Sequence, residues 1–394
     1  MMYAVLSNPN HPKYGVATIP FPIPRDQYTY CMDLLEALEV GDTVKADCKV
    51  VEFDSVYTVL KHMKALTVNV EELNYLVKRL ESFDTGEAAQ FQAMAHKLEL
   101  FELKDLINLT FCCQQATVIT DFSDLAAVGR DHYMNLHGGS AKTEELDALD
   151  GKGTARQLIE NGGGTITPYG VVYDNGMKLE QVYDGRFFPC YYYKPNVITV
   201  AVTSKAEPED TEHITWLYLP MVQEEIDRAL LRGGITDPAD VRLRLEDSQL
   251  PNEVDVLLDM EYETLSDLSE LAEATDGLSN ADMKKLGAVV MLAKPENAAQ
   301  IKNLAENLDL FDFAPGAHSS AEYGKYMIQQ SGHFDYDENL DAFYDYEKYG
   351  SERMNEEDGM FTDWGYIAYK GYISMEEVMN GSQSSHMVMG GLSR

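Results

Sequence analysis

Carboxylates without neighbouring cations dominate one stretch of the chain. Between Leu245 and Met283 there is no Lys or Arg, and twelve residues are acidic. A solvent-exposed helix usually mixes charges of both signs at i,i+4 spacing, and this stretch does not. The chemistry that such side chains offer is electrostatic recognition of a cationic surface.

Five of these acids step by three or four residues, so on a single helix they form a ribbon opposite Leu265, Leu268 and Leu271. The five are Asp259, Glu263, Asp267, Glu270 and Glu273. Helix neighbours at this spacing lie about 5–6 Å apart at Cβ, and splayed carboxylates then approach the separation of phosphates along a DNA strand. We predict a partner-binding surface of Asp255, Asp259, Glu261, Glu263, Asp267, Glu270, Glu273 and Asp276. The alternative is that these acids form a helix face that is exposed to solvent and binds no partner.

A second acidic stretch is interleaved with aromatic residues. Its acids are Asp335, Asp337, Glu338, Asp341, Asp345, Glu347, Glu356, Glu357 and Asp358, and its aromatic residues are Phe334, Tyr336, Phe343, Tyr344, Tyr346 and Tyr349. Tyrosine supplies contact area to an interface, and the acids select a partner of opposite charge. We predict that these acids bind the same partner. In the alternative interpretation, the tyrosines form the core of the last sheet.

The whole chain is strongly acidic, with 66 Asp and Glu against 31 Lys and Arg and a net charge of −35 over 394 residues. Residues 1–186 hold 27 acids and 16 bases, and the remainder holds 39 and 15. Thirty-five charges match roughly 60 Å of duplex DNA at one charge per 1.7 Å. The chain is therefore predicted to avoid nucleic acid itself and to occupy the DNA-binding surface of another protein. Halophily or solubility alone would also produce this charge.

Motifs for catalysis are missing from the sequence. The chain has no His-Glu-x-x-His or Gly-x-Ser-x-Gly, and its five cysteines are odd in number and never spaced Cys-x-x-Cys. We expect no metal, no cofactor and no catalysis. An acidic hydrolase with incidental surface charge and an acidic chaperone for basic proteins remain the alternatives.

The first residues, the apolar stretches and the cysteines indicate the cellular compartment of the protein. The first residues lack the basic and apolar regions of a signal peptide, and no later stretch is apolar over a length that spans a bilayer. Unpaired cysteines suit a reducing environment. We expect a cytoplasmic protein without a membrane partner.

Two parts of the sequence repeat. Residues 164–170 (GTITPYG) recur 195 positions later as residues 359–365 (GMFTDWG), and both predict a β-hairpin. Each half also opens with a strand, then a second strand ending in proline, a helix and a third strand. The helices are predicted at 28–38 and 222–231, and the third strands at 43–53 and 241–245.

These elements predict an α+β fold built by tandem duplication of an elongated module with small antiparallel sheets and a helical middle. The first module is predicted at 1–186, with an insertion at about 137–163, and the second, more acidic module at 187–380. Residues 381–394 are predicted to be a loose tail. The helical middles are expected at about 55–110 and 253–312, where apolar residues recur at helical spacing.

Three stretches resemble the ArdA-type antirestriction proteins of conjugative elements: residues 18–22 (TIPFP), 244–251 (RLEDSQLP) and 344–350 (YDYEKYG), the last followed by the hairpin near Gly365. The resemblance implies an acidic, non-catalytic mimic of B-form DNA. Such a protein blocks type I restriction-modification enzymes by filling the DNA groove of their methyltransferase core, so the implied partner is the methyltransferase and specificity complex.

The chain departs from the family in its length. Members are typically a single module that dimerises, and two modules are predicted here. We expect the tandem modules to form a pseudo-dimer within one chain, with a homodimer of the whole chain as the alternative. The less acidic first module would share the mimicry, act as a scaffold or contact a different target.

Overall fold

The computed structural model describes residues 1–193, 195–206 and 211–381, and the predicted tail lies outside these residues from 382 on. The fold is α+β, as predicted, with several small antiparallel sheets. In chain order the first elements are β1 (Met2–Ser7), β2 (Ala17–Phe21), α1 (Tyr28–Ala37), β3 (Cys48–Asp54), β4 (Thr67–Val68), α2 (Val70–Glu81), α3 (Thr85–Lys97), α4 (Leu103–Leu109), β5 (Thr117–Ile119), α5 (Leu125–Leu136), α6 (Thr143–Ala148), α7 (Gly151–Asn161), β6 (Thr165–Thr167) and β7 (Gly170–Tyr173).

The later elements continue the same alternation of short strands and helices. They are β8 (Ile198–Ser204), β9 (Thr215–Leu219), α8 (Gln223–Gly233), β10 (Val241–Ser248), α9 (Asn252–Asp255), α10 (Leu265–Thr275), α11 (Asn280–Ala293), α12 (Ala298–Ala305), β11 (Phe311–Pro315), α13 (Ser320–Gln329), α14 (Tyr346–Glu356), β12 (Asp358–Thr362), β13 (Gly365–Tyr369) and α15 (Met375–Met379).

The chain divides into two compact units. Unit 1 comprises Met1–Lys194, Glu209–Trp216 and Glu224–Asp240. Unit 2 comprises Pro195–Pro208, Leu217–Gln223 and Val241–Arg394. Most of α8 therefore groups with unit 1, although the predicted module boundary at 186 assigned it to the second module.

Basic side chains hold α8 within unit 1. Arg228 pairs with Glu71 at 2.7 Å, and Lys78 pairs with Glu225 at 2.9 Å. Arg232 is buried and donates to the backbone carbonyl oxygens of Thr43 and Gly185. Charged groups that leave water need such partners, so these contacts fix the helix in place.

Unit 1 opens with an antiparallel sheet in the order β2-β1-β3-β4. Alternate residues of β1, including Ala4 and Leu6, are fully buried with Ile19 and Phe21 of β2. This alternation of buried and exposed positions is what a sheet covered on one face requires. The helical middle follows as α2, α3 and α4, and Asn69 and Asp84 cap the first two of these helices.

A second sheet in unit 1 has the order β5-β7-β6 and lies beside the helix pair α5 and α7. This pair needs glycine, because a Cβ added to Gly129 would lie 1.8 Å from the carbonyl oxygen of Gly151. Helix α7 forms within the segment that the sequence predicted to be an insertion. It holds the same place in the element order as α14 in unit 2.

Unit 2 contains a sheet of order β10-β8-β9, with β9 from Leu217 onward, and another of order β11-β13-β12. In the chain, α10, α11 and α12 lie between the strands of these two sheets. Their buried residues include Leu268, Leu271, Val289 and Ile301. The last sheet packs against α13 through Tyr323 and Tyr366. The predicted order of strand, strand, helix and strand is confirmed in both halves of the chain.

Candidate partner-binding surface

The base-free segment, residues 245–283, is only partly helical. Helix α10 begins at Leu265, because the hydroxyl of Thr264 accepts a hydrogen bond from the backbone N–H of Asp267 at 3.1 Å and caps the helix. Residues 256–263 precede the cap and are irregular. The prediction of one helical ribbon from Asp259 to Glu273 is therefore wrong, and only Asp267, Glu270 and Glu273 lie on this helix.

Glu263 is not a surface residue, since only 9% of it is exposed. Both carboxylate oxygens accept a hydrogen bond from the backbone N–H of Ala298, at 3.0 and 3.1 Å. Ala298 is the first residue of α12, so Glu263 caps the positive end of that helix. Burial raises the pKa of the Glu263 carboxyl, and the hydrogen bond from Ala298 opposes this shift. This burial corrects the prediction that Glu263 imitates a phosphate.

The other predicted acids of the base-free segment reach solvent to different extents. Asp255 and Asp267 are half-buried, and burial raises the pKa of Asp255. Glu270 is exposed and pairs with Lys302 at 2.9 Å, so part of its charge is neutralised. The remaining four are exposed carboxylates: Asp259, Glu261, Glu273 and Asp276.

Two apolar side chains stand out among these acids. Val256 is 76% exposed and Tyr262 is 78% exposed. Both lie in the irregular stretch between α9 and α10. The helical spacing of the sequence predicted neither the break between these helices nor the exposure of these two side chains. Single exposed apolar side chains are ordinary on protein surfaces, so these two do not by themselves mark an interface.

The acid–tyrosine segment, residues 334–358, is organised around Asp341. Its Oδ1 accepts hydrogen bonds from the hydroxyls of Tyr336 and Tyr346 at 2.7 and 2.6 Å, and from Nε2 of Gln329 at 2.8 Å. The two tyrosine hydroxyls lower the pKa of Asp341, because they stabilise its ionised form. Asp341 therefore carries its charge while it ties the segment to α13 and α14.

Two other acids of this segment have local structural roles. Asp337 accepts from the backbone N–H of Asn339 and begins the 3-10 helix Glu338–Phe343. Asp345 accepts from the backbone N–H of Lys348 and caps α14. Both carboxylates are nonetheless exposed, and an N-cap leaves a carboxylate oxygen available to a partner.

The remaining acids of this segment fall into two groups. Glu357 is half-buried, pairs with Arg353 at 2.6 Å and accepts from the hydroxyl of Tyr323 at 2.6 Å. This carboxylate therefore joins the end of α14 to α13, and its role in the fold is structural. The exposed members are Asp335, Glu338, Glu347, Glu356 and Asp358.

The tyrosines divide between core and surface. Tyr349 packs against the core cluster that contains Tyr323 and Tyr366, as the alternative interpretation predicted. Tyr336, Tyr344 and Tyr346 instead form a row with ring centroids 6.0 and 5.8 Å apart around Asp341. Neither interpretation of the tyrosines was correct for all of them.

A glycine contact fixes the helices beneath the acid–tyrosine segment. A Cβ on Gly324 of α13 would lie 2.0 Å from the carbonyl oxygen of Tyr346, and one on Gly350 of α14 would lie 1.9 Å from that of Ser320. No other residue fits at either position without moving a helix. The two helices therefore hold Gln329 and Tyr346 at fixed positions around Asp341.

A cleft of about 420 Å³ in unit 1 is also acidic and bears on the hydrolase alternative. Its walls include Glu36, Glu39, Asp42, Asp47 and Glu224. The pKa of Asp42 is lowered, because the backbone N–H groups of Lys45 and Val44 donate to its carboxylate. A general acid needs the opposite shift.

In the part of the chain that the structure describes, no three His, Cys, Asp or Glu side chains are grouped so that they could hold a metal ion. Among the helices of residues 1–193, 195–206 and 211–381, none is both long and apolar enough to cross a membrane. The five cysteines lie within the described residues and form no disulfide; Cys190 is exposed and the other four are buried.

The fold and this surface define an α+β protein whose second unit presents exposed acids over two segments. Residues 211–368 match the family ArdA, described as antirestriction protein. This match spans less than half of the chain and contains both acidic segments, so it confirms the resemblance over that region. No curated protein matches the chain.

Proposed function

We propose that this protein is an antirestriction protein that mimics DNA and occupies the DNA-binding groove of a type I restriction-modification enzyme. The observation that carries the proposal is the match of residues 211–368 to the antirestriction family, over the same region where the exposed acids lie. The protein acts by binding and not by catalysis. It acts in the cytoplasm, where its target enzyme meets DNA.

The proposed surface consists of the predicted acids that reach solvent. In the base-free segment these are Asp259, Glu261, Asp267, Glu270, Glu273 and Asp276. In the acid–tyrosine segment they are Asp335, Asp337, Glu338, Asp341, Asp345, Glu347, Glu356 and Asp358. Glu263 and Glu357 support the fold beneath this surface, and Asp255 is not part of it because one of its carboxylate oxygens is buried. When cationic side chains of a partner bind these carboxylates, the counterions of the carboxylates are released. The same release occurs when a protein binds DNA phosphates.

We further propose that the chain is a tandem duplication of this family's module. Two turns related by 195 residues support it. The hydroxyl of Thr167 donates to the carbonyl oxygen of Gly170 at 2.8 Å, and that of Thr362 donates to the oxygen of Gly365 at 2.8 Å. The sheets agree as well, since β5-β7-β6 and β11-β13-β12 have the same strand order.

The helix pairs support the duplication independently. Gly129 of α5 and Gly324 of α13 are also 195 residues apart, and each lies against the backbone of the helix that follows it in its pair. Close helix contacts of this kind depend on glycine at one register position. A shared register together with a shared strand order is expected of two copies of one module.

The function is tested by restriction inhibition. Asp259, Glu261 and Glu273 are replaced by Lys together, and DNA cleavage by a purified type I restriction-modification enzyme is measured against inhibitor concentration. We expect wild type to inhibit and the triple variant to need at least tenfold more protein, because each reversal places a cation in a cationic groove. Absence of inhibition by wild type would contradict the proposal.

A matched control separates the surface from the overall charge. Glu144, Glu145 and Asp147 are exposed acids on α6 in unit 1. Their joint replacement by Lys changes the net charge by the same amount. This control is expected to retain inhibition within about threefold, and equal losses in both triples would show that net charge alone acts.

A further inference from the structure

Two large apolar side chains share one edge of the 3-10 helix Glu338–Phe343. Side chains three residues apart eclipse one another in a 3-10 helix, so Leu340 and Phe343 lie on the same edge. Phe343 is 84% exposed and Leu340 is 47% exposed. Single exposed apolar residues are ordinary, but a phenyl ring and an isobutyl group side by side form a small apolar projection.

The rest of the helix explains why this edge faces solvent. Asp341 lies on a different edge and is held by Gln329 of α13 and Tyr346 of α14. Because the Asp341 edge is tied to these helices, the Leu340–Phe343 edge points away from them. The projection is therefore built into the fold.

Carboxylates surround the apolar projection. Asp337 and Glu338 precede it, Asp345 and Glu347 follow it, and all four are exposed. A partner that accepts this projection must offer an apolar pocket with a cationic rim, by charge complementarity. An aromatic ring flanked by anions has the chemical layout of a nucleotide, in which a flat base lies beside phosphates.

Enzymes that methylate DNA take their target base out of the helix and place it in a pocket lined by aromatic or apolar side chains. Such a pocket opens onto a cationic groove, because the phosphates on either side of the base must also be bound. It has the apolar floor and cationic rim that the projection requires.

We propose that Phe343 fills the base-receiving pocket of the partner's methyltransferase, with Leu340 at its rim and the carboxylates of Asp337, Glu338 and Asp345 in place of phosphates. The inference rests on the proposed function and names the part of the partner that this segment meets. It extends the mimicry from the phosphates of DNA to one of its bases.

The experiment is a measurement of affinity for a purified type I restriction-modification enzyme at two salt concentrations. Wild type is compared with Phe343→Ala, Phe343→Trp and Phe343→Leu. Stacking on one base contributes about 1–3 kcal/mol, so Phe343→Ala should weaken binding by roughly 5- to 150-fold. Its dependence on salt should match wild type, because no charge changes. Phe343→Trp should bind within about threefold of wild type, and Phe343→Leu should bind nearly as weakly as Phe343→Ala.

Controls make each outcome decisive. Tyr372 is a fully exposed aromatic residue of unit 2 outside the segment, and Tyr372→Ala should bind as wild type does. If Phe343→Ala binds normally while the Asp259, Glu261 and Glu273 triple does not, the base-pocket inference is overturned and the proposed function stands. Equal affinity of Phe343→Leu and wild type also overturns it, since the pocket would then not require a flat ring. If wild type fails to bind, both proposals fall.

Discussion

The carboxylate of Glu263 accepts the backbone N–H of Ala298 with both oxygens, at 3.0 and 3.1 Å. This contact joins the irregular stretch before α10 to the start of α12. It turns one of the acids in the base-free segment into a structural group. The structural role of Glu263 can therefore be tested separately from the partner binding proposed for the exposed acids of this segment.

Glu263→Gln tests this separation through pH. The folded-state pKa of Glu263 is raised by burial, so the stability that its protonated form contributes is present below the unfolded pKa of about 4.3 and is lost as pH rises through the folded pKa. Glutamine stays neutral throughout. The free energy of unfolding of Glu263→Gln relative to wild type should therefore increase between pH 4 and pH 7, as measured by urea denaturation.

The matched control for this experiment is Glu261→Gln, because Glu261 is an exposed acid two residues away. A difference of the same size and pH dependence for Glu261→Gln would show that the effect does not come from the burial of Glu263. A flat difference for Glu263→Gln over the same range would show that burial does not govern its ionisation.

Gly324→Ala tests the helix contact beneath the acid–tyrosine segment. The added Cβ would meet the Tyr346 carbonyl oxygen at 2.0 Å, so one helix must move, at a cost of about 1–3 kcal/mol in unfolding free energy. Lys325→Ala, at an exposed position on the same helix, should stay within about 0.5 kcal/mol of wild type. Chemical denaturation measures both, and equal stability of the two variants would rule out the contact.

Arg232→Ala tests the packing of α8 within unit 1. The guanidinium is buried, bonds the Tyr183 hydroxyl and lies 3.8 Å from the Glu72 carboxylate, which would remain without this cation. Breaking a buried pair by removing one partner costs about 3–5 kcal/mol. Arg244→Ala removes an exposed pair with Glu246 and should cost under about 1 kcal/mol. Similar losses for both variants would contradict the assigned role of Arg232.

The oligomeric state tests the duplication. If two modules in one chain replace the family's dimer, light scattering of the purified chain should give its monomer mass of 44.2 kDa. An obligate dimer across a hundredfold range of concentration would contradict the pseudo-dimer. That result would favour the alternative in which two whole chains associate.

The sequence predicted the parts of the fold that depend on local patterns. Repeated glycines in the two hairpins and apolar residues at helical spacing were sufficient for β6, β7, β12, β13 and α2, because turn geometry and helix amphipathicity are written in neighbouring residues. The register of acids at three- and four-residue spacing was misleading. Thr264 starts a new helix, and a cap outweighs the continuation of a polar pattern.

The sequence predicted the residue types of the candidate site, but not which of its acids are exposed or what they contact. Nothing in the sequence distinguishes Glu263 from Glu261, because the difference arises from α12, which is more than thirty residues away. The grouping of Tyr336, Tyr346 and Gln329 on Asp341 depends on how α13 and α14 pack, which is likewise a tertiary property. Phe343 is exposed because of that grouping. The sequence does not predict this exposure, because an aromatic residue at this position is also compatible with burial.

Under the proposed function, this protein and DNA compete for one groove of the restriction enzyme. The most direct measurement is displacement of the labelled protein from a purified type I restriction-modification enzyme by duplex DNA that carries the recognition sequence, at 50 and 200 mM salt. We expect DNA to displace the protein completely and the protein's affinity for the enzyme to fall steeply as salt increases. A ternary complex that persists at saturating DNA, or an affinity that does not change with salt, would contradict it.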